Sequence, residues 1–357
     1  MSIRGAETKD APKYEEEARD YDAVLVMSFG GPEGRDDVMP FLENVTRGRN
    51  VPRERLLEVA PHYERFGGVS PINEQNRALI AALQTELKAK GPDLPIYFGN
   101  RNWHPFVTDT VRRMRDDGVR RAVVFVTSAF SSYSGCRQYR EDIIRAQEAV
   151  EGAPEFDKLR VYFNHPGFIE PNVDNLRTAL ERIPEERRAG AQIAFTAHSL
   201  PLGMAKGSDY VAQLEEASRL VAEGVGWEDY ALVYQSRSGP PRMPWLEPDI
   251  LDHMERLAES GVTDLVILPI GFISDHMEVL FDLDVEAAEK AEELGMNMVR
   301  AATVDAAPAF VSMIRELIVE RMAANPERRA LGRLGASHDI CPVDCCLSGQ
   351  PTRPASR

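Results

Sequence analysis

Residues 105–136 match residues 248–279 of the same chain without a gap, and no other feature limits the fold as tightly. Pro105 pairs with Pro248, Asp109 with Asp252, Arg113 with Arg256, Gly118 with Gly261, Val119 with Val262, Val123 with Val266 and Ser131 with Ser274. Apolar positions keep step through Ala122-Val-Val-Phe125 and Leu265-Val-Ile-Leu268. Both copies read as helix, glycine, apolar strand and turn, which predicts an internal duplication. Two similar α/β lobes leave a cleft between the carboxyl ends of their strands, where open α/β sheets bind ligands.

The rest of the chain repeats this alternation. Strands are expected at 22–28, 95–99, 122–127 and 158–163, then at 191–196, 231–235, 265–269 and 297–301. Helices are expected at 36–45, 73–90, 107–117, 139–148, 208–225, 248–260, 279–294 and 309–325. Apolar runs alternating with amphipathic ones indicate parallel sheets covered on both faces. A length of 357 residues suits two such lobes, expected at 21–180 and 181–325. Residues 1–20 read as a disordered lead-in and 326–357 as a cysteine-containing tail. The net charge of −15, without a basic run, argues against nucleic acid as a partner. No apolar stretch approaches the roughly 18 residues of a membrane span, and no signal-peptide core opens the chain, so a cytoplasmic location is expected.

One stretch after the 265–269 strand carries the chemistry. Glu278, Asp282 and Glu286 stand four residues apart. That spacing puts them on one helical face, where like charges repel. An acidic surface helix is the ordinary explanation. Here Val279, Leu280, Phe281, Leu283 and Val285 fill the gaps, so the segment is embedded, and sharing a cation is the better explanation. Each α-helical step of four turns about 40° past the last, and a widened π-type turn would align the row better. His198, in Phe195-Thr-Ala-His-Ser-Leu-Pro201, ends another expected strand. A buried histidine is usually satisfied by a carbonyl. Facing a carboxylate row, it instead forms a donor pair suited to Fe(II) or Zn(II), or to proton transfer. Phe29, in Ser28-Phe-Gly-Gly-Pro32, holds the matching place after the first lobe's opening strand.

The remaining candidates are weaker singly. Gly30-Gly31 and Gly67-Gly68 lack the spacing of phosphate loops, so no nucleotide is expected. Arg47, Arg49, Tyr63, Ser70, Tyr133 and Tyr139 read as donors to a substrate's carboxylates. Cys136 stands mid-chain, while Cys341, Cys345 and Cys346 crowd the tail. Four thiolates suit Zn(II) or a [2Fe–2S] cluster, and the residues alone leave that choice open.

Together, Val24-Leu-Val-Met-Ser-Phe-Gly-Gly-Pro32, Gly67-Gly-Val-Ser-Pro71, Phe195-Thr-Ala-His-Ser-Leu-Pro201 and Pro269-Ile-Gly-Phe-Ile-Ser-Asp-His-Met-Glu278 resemble the ferrochelatases. The resemblance covers roughly residues 21–325. It implies the class II chelatase fold, two flavodoxin-like lobes around a porphyrin cleft, and insertion of Fe(II), a substrate, into a porphyrin. It makes His198 and Glu278 the metal-site pair, extended by Asp282 and Glu286. It sets Tyr63, Ser70 and Tyr139 against the porphyrin and its propionates. Many bacterial members have a tyrosine where this chain has Phe29, which cannot ligate iron. Some members hold a [2Fe–2S] cluster on one internal and three C-terminal cysteines, a pattern that Cys136, Cys341, Cys345 and Cys346 match, although adjacent ligands such as Cys345-Cys346 are unusual. The wording of the first half resembles the actinobacterial enzymes, which implies coproporphyrin III as the porphyrin. Another haem-pathway enzyme would then receive the product by transient contact. The alternatives are a protoporphyrin IX ferrochelatase, a cobalt or nickel chelatase, and a non-catalytic haem or iron–sulfur sensor.

Overall fold

The computed structural model describes residues 18–48, 51–239 and 242–349. Ala23–Ser28 (β1) leads to Arg35–Val45 (α1), Arg53–Glu64 (α2), Ile72–Lys90 (α3), Ile96–Asn100 (β2), Val107–Asp116 (α4), Arg121–Val126 (β3), Gln138–Ala149 (α5) and Glu155–Lys158 (β4). Pro166–Glu181 (α6) and Glu185–Arg188 (α7) then connect to Gln192–His198 (β5), Leu202–Lys206 (α8), Tyr210–Val225 (α9) and Tyr230–Gln235 (β6). Ile250–Glu259 (α10), Asp264–Leu268 (β7), Met277–Phe281 (α11), Ala288–Glu293 (α12), Asn297–Arg300 (β8) and Pro308–Met322 (α13) complete the order. Two π-helical turns, Tyr133–Arg137 and Asp282–Ala287, run into α5 and α12.

The strands form two parallel sheets of the same topology, β2-β1-β3-β4 and β6-β5-β7-β8. The duplication extends to detail. Helices α4 and α10 both end at glycines in the left-handed region, Gly118 at φ 81° and Gly261 at φ 82°. In both, the next amide reaches back to the helix, Val119 to Met114 and Val262 to Leu257, each at 3.0 Å. The matched prolines also act alike: the Pro105 carbonyl accepts from Asn100 at 2.7 Å, and that of Pro248 from Tyr234 at 2.9 Å.

Two-residue alternation sorts each strand between two cores. Val24, Val26 and Phe125 from the first sheet join Ile193, Phe195, Val266 and Leu268 from the second in one central core, which α6, α9 and α13 help to fill. Leu25, Met27 and Val124 face α4 and α5 on the outer side, and Leu265 and Ile267 face α10 and α12. A smaller cluster, Val38, Phe41, Leu42, Leu56 and Ala60, holds α1 to α2. Helix α13 packs on both α6 and α3, so the two sheets share one interior.

The fourth strand differs from expectation. It is Glu155–Lys158, not 158–163. The apolar residues after it are buried for another purpose. Tyr162 stacks on Phe125 with ring centroids 5.3 Å apart, and its hydroxyl donates to the Val126 carbonyl. Arg160, fully buried, donates to both Glu320 oxygens at 2.6 and 2.9 Å. Burial without alternation therefore mimicked a strand. Helices α2 and α6 were not expected; each carries an internal proline, Pro61 and Pro171, whereas Pro166 occupies the first turn of α6, where proline is well tolerated.

Past α13 the chain is irregular but anchored. Leu331 exchanges hydrogen bonds with Asn164, Asp339 accepts from the Arg160 amide, and Glu216 of α9 accepts from the Arg333 amide. No helix among the described residues is long and apolar enough to cross a membrane.

Candidate functional site

His198 is the last residue of β5 and the register partner of Gln235, which ends β6. The loop from Pro269 to His276 lies against this edge because Gly271 permits it. A Cβ at Gly271 would stand 2.7 Å from the Ala197 Cβ and 2.8 Å from its Cα. His276 then caps α11, its Nδ1 accepting from the Glu278 amide at 3.1 Å. The result sets His198 Nε2 3.5 Å from Glu278 Oε1. The other ring nitrogen, Nδ1, donates to the Ser199 carbonyl, and the Tyr210 hydroxyl donates to the His198 carbonyl at 3.0 Å.

The acidic row continues along α11 into the π-helical turn Asp282–Ala287. Within that turn Leu283 and Ala287 are buried in the second lobe's outer core and Val285 is buried as well, whereas Asp284 and Glu286 are exposed. The π-type widening expected from the spacing is thus present where the row needs it. Gln235 Nε2 donates to the Glu278 carbonyl at 3.0 Å, and the Ser236 hydroxyl donates to Asp282 Oδ2. Ser236 reaches it from a left-handed backbone, φ 61°, a conformation that non-glycine residues adopt at strained sites.

These contacts give the three carboxylates different protonation. Burial works against a charged His198, but the Glu278 carboxylate and the Ser199 carbonyl outweigh it and raise the ring to about 9. Burial likewise opposes the charge on Glu278, and the imidazolium reverses this, lowering it to about 2. At neutral pH the pair is an imidazolium–carboxylate. Burial pushes Asp282 up to about 7 against the pull of the Ser236 hydroxyl, with Glu278 and Glu286 adding to the rise. Glu286 is raised too, by burial and then by Asp249.

The first lobe supplies the facing wall. Helix α2 packs on α11, with His62 stacked on Phe281 at 3.7 Å between ring centroids. Tyr63 follows it, and burial together with Glu278 and Asp282 raises its phenol, which stays neutral. Phe29, just past the end of β1, is 37% exposed and meets Phe41 edge-on at 6.3 Å. Ser70 is buried, and a Cβ at Gly31 would lie 2.7 Å from the Ser70 Cβ. Arg47 is exposed on the turn after α1, and Arg49 lies outside the described residues.

Two expected substrate contacts are placed otherwise. Tyr139 is 4% exposed in the outer core beneath α4 and α5, under the Arg101 guanidinium at 4.7 Å, so it packs the first lobe. The Tyr133 hydroxyl, in the first π-helical turn, is committed to Glu141 at 3.2 Å. Sequence reasoning did not single out Gln235, Ser236, His276 or Tyr210. His276 caps α11, but histidine is not among the residues favoured at that position, so no local signal marked it.

The cysteines form a second centre. Cys136 stands beside Cys341 and Cys346, and Cys345 beside the same two, closing a ring of four sulfurs. All four are free thiols, with Cys345 Sγ and Cys346 Sγ 3.5 Å apart. Neighbouring residues of an extended chain point to opposite sides. Cys346 has φ 56°, and this left-handed turn lets the adjacent pair face one centre. Arg137 donates to the carbonyls of Val343 and Cys345, fixing the tail to the first lobe. His338 Nε2 lies 3.9 Å from Cys345 Sγ, a neighbour that was not anticipated. The cations Lys158, Arg137 and Arg140 line the same pocket. Contacts among the sulfurs hold Cys136 and Cys345 below the usual thiol range and push Cys341 and Cys346 above it.

Comparison with known proteins agrees with this geometry. The family model described as Ferrochelatase matches residues 21–322. A protein named ferrochelatase from Rhodopirellula baltica is 59% identical over 336 residues, covering 94% of this chain and 95% of the relative. Proteins named coproporphyrin III ferrochelatase are each 54% identical, one from Streptomyces coelicolor covering 95% of this chain and 96% of the relative, one from Mycolicibacterium smegmatis covering 94% and 98%. Among solved structures, SirB from Bacillus subtilis with Fe3+ superposes with a TM-score of 0.52 at 13% identity, covering 83% of this chain and 94% of that one. At that identity the likeness speaks for the two-lobed chelatase fold alone.

Proposed function

The chain belongs to the ferrochelatase family, and from that premise we propose that it inserts Fe(II) into coproporphyrin III, giving Fe-coproporphyrin III and two protons. The observation that carries this reading is His198 held 3.5 Å from Glu278 at the head of a carboxylate row on a π-helical turn. The choice of porphyrin rests on the names of the Streptomyces and Mycolicibacterium relatives.

Insertion needs a donor set for Fe(II) and a base for each pyrrole proton. In the resting site His198 carries the proton and Glu278 the charge. His198 can ligate iron or accept a pyrrole proton only after that proton leaves. Asp282, close to half-ionised at neutral pH, is the neighbouring group fit to take it, and Glu286 leads outward to solvent. Tyr63, a neutral phenol beside the carboxylates, is a donor for the porphyrin on the first lobe's wall. Phe29 offers a ring for packing and no ligand atom.

The ring of Cys136, Cys341, Cys345 and Cys346 fits a four-thiolate group in number, adjacency and charge environment, and we assign it a [2Fe–2S] cluster. Such a cluster would supply one-electron chemistry or a crosslink, and the insertion step as derived does not pass through it.

The test is a side-by-side rate measurement with coproporphyrin III and protoporphyrin IX under anaerobic Fe(II). Faster turnover of coproporphyrin III is expected, and a preference for protoporphyrin IX would overturn that choice. His198→Ala should lose insertion by roughly a hundredfold or more while keeping its circular dichroism. Substantial turnover in that variant would remove His198 from its role.

A further inference from the structure

We propose that Arg300 is a positioning residue for the acidic row, clamping the segment from Asp275 to Asp284 at both ends. Arg300 closes β8, beside Ile267 of β7. Its Nε and one terminal nitrogen donate to Asp284 Oδ1 at 2.5 Å and Oδ2 at 2.9 Å. Its terminal nitrogens also donate to the two Asp275 oxygens, each at 3.2 Å. One planar guanidinium thus holds two carboxylates in forked geometry, which a lysine cannot reproduce. The group is largely shielded, with the Arg300 side chain 17% exposed.

The segment it brackets contains His276, Glu278 and Asp282, every cleft-side titratable group of the row's inner half. Asp284 lies in the π-helical turn, a rare conformation found mostly as single turns within α-helices and often at functional sites. Asp275 opens the segment. It accepts a further bond from the Thr303 hydroxyl at 3.3 Å, and its amide donates to Gln75 of α3 at 2.7 Å. Through Gln75 the clamped segment is referenced to the first lobe, which carries the facing wall. Relaxation of the π-helical turn toward an α-helix would rotate Asp282 away from Ser236 and separate it from the His198–Glu278 pair. Arg300 opposes that relaxation from outside the reaction site, since among the described residues its side chain bonds only Asp275, Asp284 and the Ala301 carbonyl, none of them assigned to iron or porphyrin.

This inference rests on the insertion reaction proposed above, and the experiment keeps the two separable. Full-length wild type, Arg300→Met, Arg300→Lys and Asp284→Asn are compared by hydrogen exchange and by Fe(II) insertion. The expected result is exchange of amides 277–287 at least roughly tenfold faster in Arg300→Met, with β1 and β3 unchanged. The kcat/KM for Fe(II) should fall by roughly ten- to a hundredfold, as for a small misplacement of reacting groups. Arg300→Lys should recover part of that loss. Asp284→Asn, which cuts one arm at an exposed position, should show the local exchange change with little loss of Tm. Unchanged exchange at 277–287 in both Arg300→Met and Asp284→Asn would overturn the clamp. Exchange needs no turnover, so a wild type that inserts no iron sinks the reaction while the clamp is still judged.

Discussion

At the scale of single residues, the site works by giving similar groups different protonation. Glu278 holds the His198 proton, so the ring titrates near 9 and the kcat/KM for Fe(II) should rise with pH toward that value. Glu278→Gln removes the attraction that outweighs burial. The rising limb should then move to lower pH, which a rate profile from pH 5 to 10 would reveal, and an unmoved limb would separate the two residues. Asp282 is shifted the opposite way to Glu278. Its native pKa of about 7 exceeds the ordinary aspartate value of 3.8, so the folded state binds the proton more tightly than the unfolded chain. Stability from this residue is therefore full below the lower value and lost as pH rises to the higher one. Asp282→Asn should gain Tm relative to wild type between pH 4 and 7, with no further gain above. The types of these residues were legible in the chain. Their order of acidity was not, since it comes from burial and from neighbours such as Ser236.

At the scale of elements, the decisive piece is the loop joining β7 to α11. The strand, the following helix and its acidic face all follow from apolar periodicity and four-residue spacing. The π-helical turn was expected because an α-helix would fan the carboxylates apart, and the turn stands at Asp282–Ala287. What periodicity misses is close approach. Gly271 lies so near Ala197 that any side chain must push the loop off β5. Gly271→Ala should cost about 1–3 kcal/mol, read as a lower midpoint in urea, and should lower kcat by moving Glu278 from His198. Retained stability and rate would mean that the loop has slack. The misplaced fourth strand teaches the converse. Leu159, Val161, Tyr162 and Phe163 are buried as expected, but as filling beneath the sheet, because a short apolar run looks the same in either role.

At the scale of the whole molecule, contacts far apart in the chain bring each centre together. Cys136 meets a tail some two hundred positions away, and that tail is fastened to Asn164 and Arg160 and to Glu216 of α9. Cys136→Ser should abolish visible absorbance between about 400 and 600 nm in anaerobically purified protein if four thiolates hold an iron–sulfur group. A colourless wild type carrying zinc would instead assign the ring to a structural metal. By itself the sequence determined what repetition and periodicity encode: a doubled α/β lobe, parallel strands buried on both faces, and the chemical types available at the strand ends. Only the tertiary structure decided which of those residues meet. His198 and Glu278 are adjacent because β5 and α11 pack, and Tyr139 is a core residue because its helix turns it inward. Local patterns record a residue's own neighbours, whereas distance and dielectric across a cleft are set by every element that encloses it.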